Sequence, residues 1–73
     1  MILEFGAEVI DSKGEVLGTI DHLARNLSTG EIRKFVVRRE GPEKDLFLSP
    51  DDVLEATKNT VKLKLSFDEL IQR

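Results

Sequence analysis

The sequence predicts a small all-β domain, a barrel or sandwich of short strands, closed by a short C-terminal helix. Three observations point there. Turn signals recur at close intervals, at Asp11-Ser12-Lys13-Gly14, Ser28-Thr29-Gly30, Glu40-Gly41-Pro42-Glu43, Ser49-Pro50 and Lys58-Asn59-Thr60. The runs between them are short and rich in β-branched residues and Leu, the pattern of closely spaced strands rather than βαβ units. After residue 65 the apolar period changes from that of a strand to that of a helix.

Each element follows from local chemistry. Ala7-Glu8-Val9-Ile10 opens the inventory. A long irregular strand is expected from Glu15 to Leu27, and a regular one from Ile32 to Arg39. Leu46 and Leu48 point one way and leave Phe47 on the other face, because successive strand side chains alternate. Val61, Leu63 and Leu65 alternate with Lys62 and Lys64, giving one dry and one wet face. Ser12-Lys13-Gly14-Glu15-Val16 is echoed by Ser28-Thr29-Gly30-Glu31-Ile32, which reads as hairpin punctuation. Gly6, Gly14, Gly18 and Gly30, with Pro50, are expected at turns, and glycine suits such turns since they require φ > 0. Asp11 is placed to accept a backbone N–H two residues on. Ser66-Phe67-Asp68-Glu69 is a capping box, with Ser at the N-cap and Glu at N3. Phe67, Leu70 and Ile71 then share a helix face, and Phe67 and Leu70 are expected to hold the helix against the barrel.

Composition excludes several classes of function. The 73 residues carry 40% apolar and 34% charged side chains, so a single compact domain over residues 1–73 is expected rather than disorder. Eleven basic against fourteen acidic residues give a net charge of −3, which argues against unspecific binding to DNA or anionic lipid. With no Cys there is no disulfide frame, thiolate zinc site or thiol chemistry. The N-terminal stretch Met1-Ile2-Leu3-Glu4-Phe5-Gly6 lacks the pattern of a signal or transit peptide. Apolar runs reach three residues, as in Phe35-Val36-Val37, against about 20 needed to span a bilayer. A soluble, cytoplasmic chain with no membrane insertion is the expectation.

The ordered set Gly6, Val9, Asp11, Gly14, Gly18 and Ile20, followed by Ser28-Thr29-Gly30 and the Phe35-Val36-Val37 strand, resembles the PRC-barrel family. That family includes the cytoplasmic domain of the photosynthetic reaction-centre H subunit and the C-terminal domain of the ribosome maturation factor RimM. Leu48-Ser49-Pro50-Asp51-Asp52-Val53 is similar to its apolar-Pro-x-x-Val turn, and Val61-Lys62-Leu63 to its final strand. The resemblance covers residues 5 to 65, with a capped tail at 66–73 outside that pattern and a short loop after Glu40. It implies a compact, mostly antiparallel β-barrel acting as an assembly or adaptor module. It implies no enzymatic activity, and no cofactor is expected.

Candidate chemistry is sparse. His22, the single histidine, stands beside Asp21 with no legible ligand set or nucleophile, and reads as a surface strand residue. Asp51, Asp52 and Glu55 lack the loop spacing of a hard-cation site and read as a solvated turn. The glycines follow neither nucleotide-binding spacing. Arg33, Lys34, Arg38 and Arg39 form the notable charge cluster. Alternation sets Arg33 with Arg39 on one face and Lys34 with Arg38 on the other, and a neighbouring 61–65 strand would add Lys62 and Lys64 to one of them. Such a stripe suits RNA phosphate or an acidic partner, although without Tyr or Trp the platform for stacking bases is poor. The plainer reading is a solvated strand paired to Glu31, Glu40 and Asp45. Phe47 and Phe67 are the apolar candidates for partner contact; Phe47 is out of phase with its neighbours, so it is either an exposed association point or covered by Phe67 and the terminal helix, while Phe5 is a further anchor. The expected role is a non-catalytic interaction module that associates with a protein partner or itself, as a homodimer. The alternative is a ribosome- or RNA-associated accessory protein.

Overall fold

A computed structural model describes residues 3–72. Six strands form one curled, half-barrel sheet: β1 (Glu8–Ile10), β2 (Val16–Arg25), β3 (Ile32–Arg38), β4 (Leu46–Leu48), β5 (Val53–Ala56) and β6 (Thr60–Leu63). A 3-10 turn spans Pro50–Asp52, and helix α1 spans Phe67–Gln72. The sheet order is β4-β3-β2-β1-β6-β5. Every pairing is antiparallel except β1 with β6. The two edge strands, β4 and β5, are consecutive in the chain. The Ser49-to-Asp52 link therefore crosses the open seam of the half-barrel, and only a strongly curled sheet lets four residues make that crossing.

The expected phases hold in the short strands. Val9, Phe35, Val37, Val61 and Leu63 are fully buried, while Lys62 and Lys64 face water. Strand β2 is different. Its inward residues are Leu17, Ile20 and Leu23, spaced by three rather than two. Register shifts opposite β1 and β3 supply the extra residue each time, leaving Leu17 and Asp21 unpaired in turn. Each bulge resets the alternation and sharpens the bend, which is how a ten-residue strand keeps its apolar side inward around a curve. Strand β5 is absent from the sequence-based inventory, which read Leu48 to Val53 only as a turn. Val53-Leu54-Glu55-Ala56 has two residues depleted in strands and a bulge that leaves Leu54 outward, so no alternation announces it.

The two echoed turns close hairpins of different length. In the first, Asp11 N–H donates to the Glu15 carbonyl across a three-residue loop. In the second, Asn26 N–H donates to the Glu31 carbonyl across a four-residue loop. Asn26 Oδ1 accepts from the N–H groups of Ser28 and Thr29, at 2.8 and 3.2 Å. Gly14 has φ +85°, with open space where a side chain would stand, so Gly14→Val meets backbone strain but no neighbour. That strain is expected to cost about 1–2 kcal/mol, read as a lower thermal midpoint. An unchanged midpoint would contradict the turn geometry. Gly6 and Gly30 also take positive φ.

Asp11 is far more than a turn residue. It is 1% exposed. Its Oδ1 accepts the N–H groups of Lys13 and Glu15 at 3.0 and 2.8 Å, and Oδ2 accepts that of Phe67 at 2.9 Å. One carboxylate thus ties the first hairpin to the first turn of α1. Burial works against its charge, but the N–H groups of Phe67, Glu15 and Lys13, aided by the Lys13 ammonium, hold its carboxyl below the usual range. The capping box forms as expected: Ser66 N–H donates to Glu69 Oε1 at 3.0 Å and Glu69 N–H to Ser66 Oγ at 3.3 Å. Leu70 enters the core at 7% exposure and Phe67 packs against its edge. Ile71, expected on the same face, is instead 56% exposed.

Candidate interaction surface

The basic cluster does not act as one stripe. A register shift between Arg25 and Ala24 leaves Arg33 as an unpaired bulge residue, so Ile32, not Arg33, packs toward the core with Phe35. Arg33 lies exposed beside a groove with Leu3, Arg25 and Pro50, far along the strand from Arg39. Arg39 is occupied. Its Nε donates to the Leu17 carbonyl at 3.1 Å, Nη1 pairs with Glu43 at 3.5 Å, and its guanidinium lies 4.3 Å from the Phe67 ring centroid. With its side chain only 14% exposed, Arg39 staples β2 and α1 together, in place of the expected pairing with Glu31, Glu40 or Asp45. Lys62 and Lys64 do not extend the cluster, because β6 lies between β1 and β5. Only Lys34 and Arg38 remain as exposed cations on the outer face of β3.

Asp52 also departs from the solvated turn expected for it. It is buried and accepts from Ser49 N–H at 2.9 Å, which stiffens the turn that Pro50 begins. Asp51 and Glu55 are exposed. His22 lies exposed on the outer face.

What the sheet register does assemble is a row across three strands, apolar at Val36 and Phe47. His22 of β2 pairs with Val36 of β3, and Val36 pairs with Phe47 of β4. One step along, Ala24 pairs with Lys34. All these residues point away from the core. Phe47 is 71% exposed on an edge strand, so neither Phe67 nor α1 covers it. Phe67 itself is a packing residue under Arg39. The Asp21 bulge creates the row: without it His22 would follow Ile20 inward and Asp21 would stand opposite Val36. That shift has no signature in the sequence beyond the three-residue spacing of Leu17, Ile20 and Leu23. Phe5, Val16 and Leu54 add further exposed apolar side chains elsewhere on the domain.

A curled six-stranded sheet with a helix over its core, exposing Phe47 on the outer face and other apolar side chains elsewhere, defines a small β-domain with surface to spare for contacts. The chain belongs to the PRC-barrel domain family, whose model matches residues 5–70. The match runs through Leu70 and takes in the first turn of α1 as well as the sheet. No curated protein matches the chain. No helix among the described residues is long and apolar enough to cross a membrane.

Proposed function

We propose that this protein is a non-catalytic interaction module that self-associates through the outer face of β3 and β4, in the cytoplasm. The supporting observation is Phe47, a large apolar side chain 71% exposed beside Val36 on a domain of 8.2 kDa. Exposed apolar patches on small domains mark association surfaces. A core this small also gains stability from any contact made only by the folded state. Sedimentation velocity over a concentration series is expected to show mass rising above 8.2 kDa. Phe47→Asp is expected to suppress that rise at least tenfold in concentration, without lowering the thermal midpoint, because the residue packs on little within the fold. A chain that remains monomeric throughout contradicts self-association.

A ribosome- or RNA-associated role is the second reading, supported by Lys34 and Arg38 on one outer face and by the family's link to RimM. Binding to a short single-stranded RNA should then fall steeply with salt and with Lys34→Glu plus Arg38→Glu, since released counterions drive such contacts. Arg39 is left intact because of its packing role. Flat salt dependence would remove this reading.

A further inference from the structure

The same outer face has a complement elsewhere on the chain. Helix α1 exposes Ile71, 56% accessible, with the exposed Asp68 three residues before it. Residues at i and i+3 on a helix stand about 5–6 Å apart on one side. On β3, Val36 faces outward beside Phe47, and Lys34 lies two residues away on the same face. Two residues along a strand span about 6.6 Å. The helix thus presents an apolar residue and an acid at nearly the spacing at which the sheet presents an apolar row and a cation. Both halves remain open within one molecule, as the exposure of Phe47 and Ile71 shows.

Resting on the self-association reading, we infer that the occupant of the Phe47–Val36 face is α1 of a second copy, with Ile71 on the apolar row and Asp68 against Lys34. Glu69 takes no part, since its carboxylate is engaged with the Ser66 N–H. The contact is heterologous: donor helix and acceptor sheet are different surfaces, so a dimer still offers one free acceptor at one end and one free donor at the other. Growth then passes beyond a two-fold dimer, to a closed ring or an open filament. A six-residue helix, about 9 Å long, offers little area, so the contact is weak and its bound population rises with concentration.

Complementation tests this directly. Wild-type mass is expected to climb steadily with concentration in sedimentation velocity and to fall back with salt. Phe47→Ser removes the acceptor and Ile71→Ser the donor, and each alone should weaken association at least about tenfold. Mixed one to one, the two variants retain one intact acceptor and one intact donor, so a dimer should return and go no further. Lys34→Glu and Asp68→Lys should each weaken association alone, and mixed they should restore growth beyond a dimer, because both junctions in the mixture bring opposite charges together. Circular dichroism verifies that each variant is folded, as expected for exposed sites. Wild-type association without rescue in the mixture overturns the helix-on-sheet contact and leaves self-association standing. A monomeric wild type overturns both.

Discussion

Gly18→Val is expected to unfold the domain. Gly18 lies in β2 opposite Val9, and a Cβ placed on it would overlap the backbone carbonyl of Arg38 in β3. Backbone cannot swing aside as the end of a side chain can. Separating β2 from β3 to make room would also disturb Val37, whose buried side chain lies next in the path. Its φ of +155° adds strain for any L side chain. The loss should exceed about 3 kcal/mol, against a total of about 4–11 kcal/mol for a chain of this length. Gly18→Ala provides a graded version, with a large fall in thermal midpoint by circular dichroism. A midpoint within a few degrees of wild type would show that the two strands do not approach this closely. The comparison with Gly14 is instructive: Gly14 is required by backbone angle alone, Gly18 chiefly by a close approach of backbone.

The second large effect is Asp11→Ala, expected to cost about 3 kcal/mol because three N–H groups in a tight space lose a charged acceptor. Its pH dependence has a definite sign. The folded-state pKa lies below the unfolded value of about 3.9, so the unfolded chain takes up the proton first as the solution is acidified. The stabilisation is complete above about pH 4 to 5 and is lost as pH falls through the folded-state pKa. Glu69, whose carboxyl is lowered by the N–H and hydroxyl of Ser66, moves in the same direction. Asp11→Asn should therefore be less stable at neutral pH and lose less on acidification than wild type. Urea midpoints measured at neutral and acidic pH decide the matter. An equally steep acid loss in Asp11→Asn would show that other carboxylates carry the effect.

Much of the fold was legible because local chemistry and tertiary structure agree. The glycines at 6, 14 and 30, the Asp11 turn and the Ser66–Glu69 box each signal their geometry through one or two residues, whereas Gly18, expected at a turn, lies inside β2, where the approach of β3 requires it. The turn residues did not reveal the long reach of Asp11, since its bond to the Phe67 N–H joins positions 56 residues apart. Strand β5 escaped notice because its pairing with β6 carries the structure where its own residues have little strand preference. The interaction surface was half visible. Phe47 stood out by phase alone, whereas its neighbours Val36 and His22 come together through a bulge. The cations misled for the same reason: alternation counted from Arg33 to Arg39 ignores the bulge at Arg33 and the end of the strand before Arg39. Arg39 and Phe67, both candidates for partner contact, are joined to each other instead.

The central claim is that the outer face of β3 and β4 brings copies of this chain together, and sedimentation equilibrium of wild type beside Phe47→Ser tests it most directly. Wild type should rise above 8.2 kDa as concentration increases while Phe47→Ser stays at the monomer mass. A wild type that is monomeric at every concentration, or a Phe47→Ser variant that assembles as well as wild type, would contradict it.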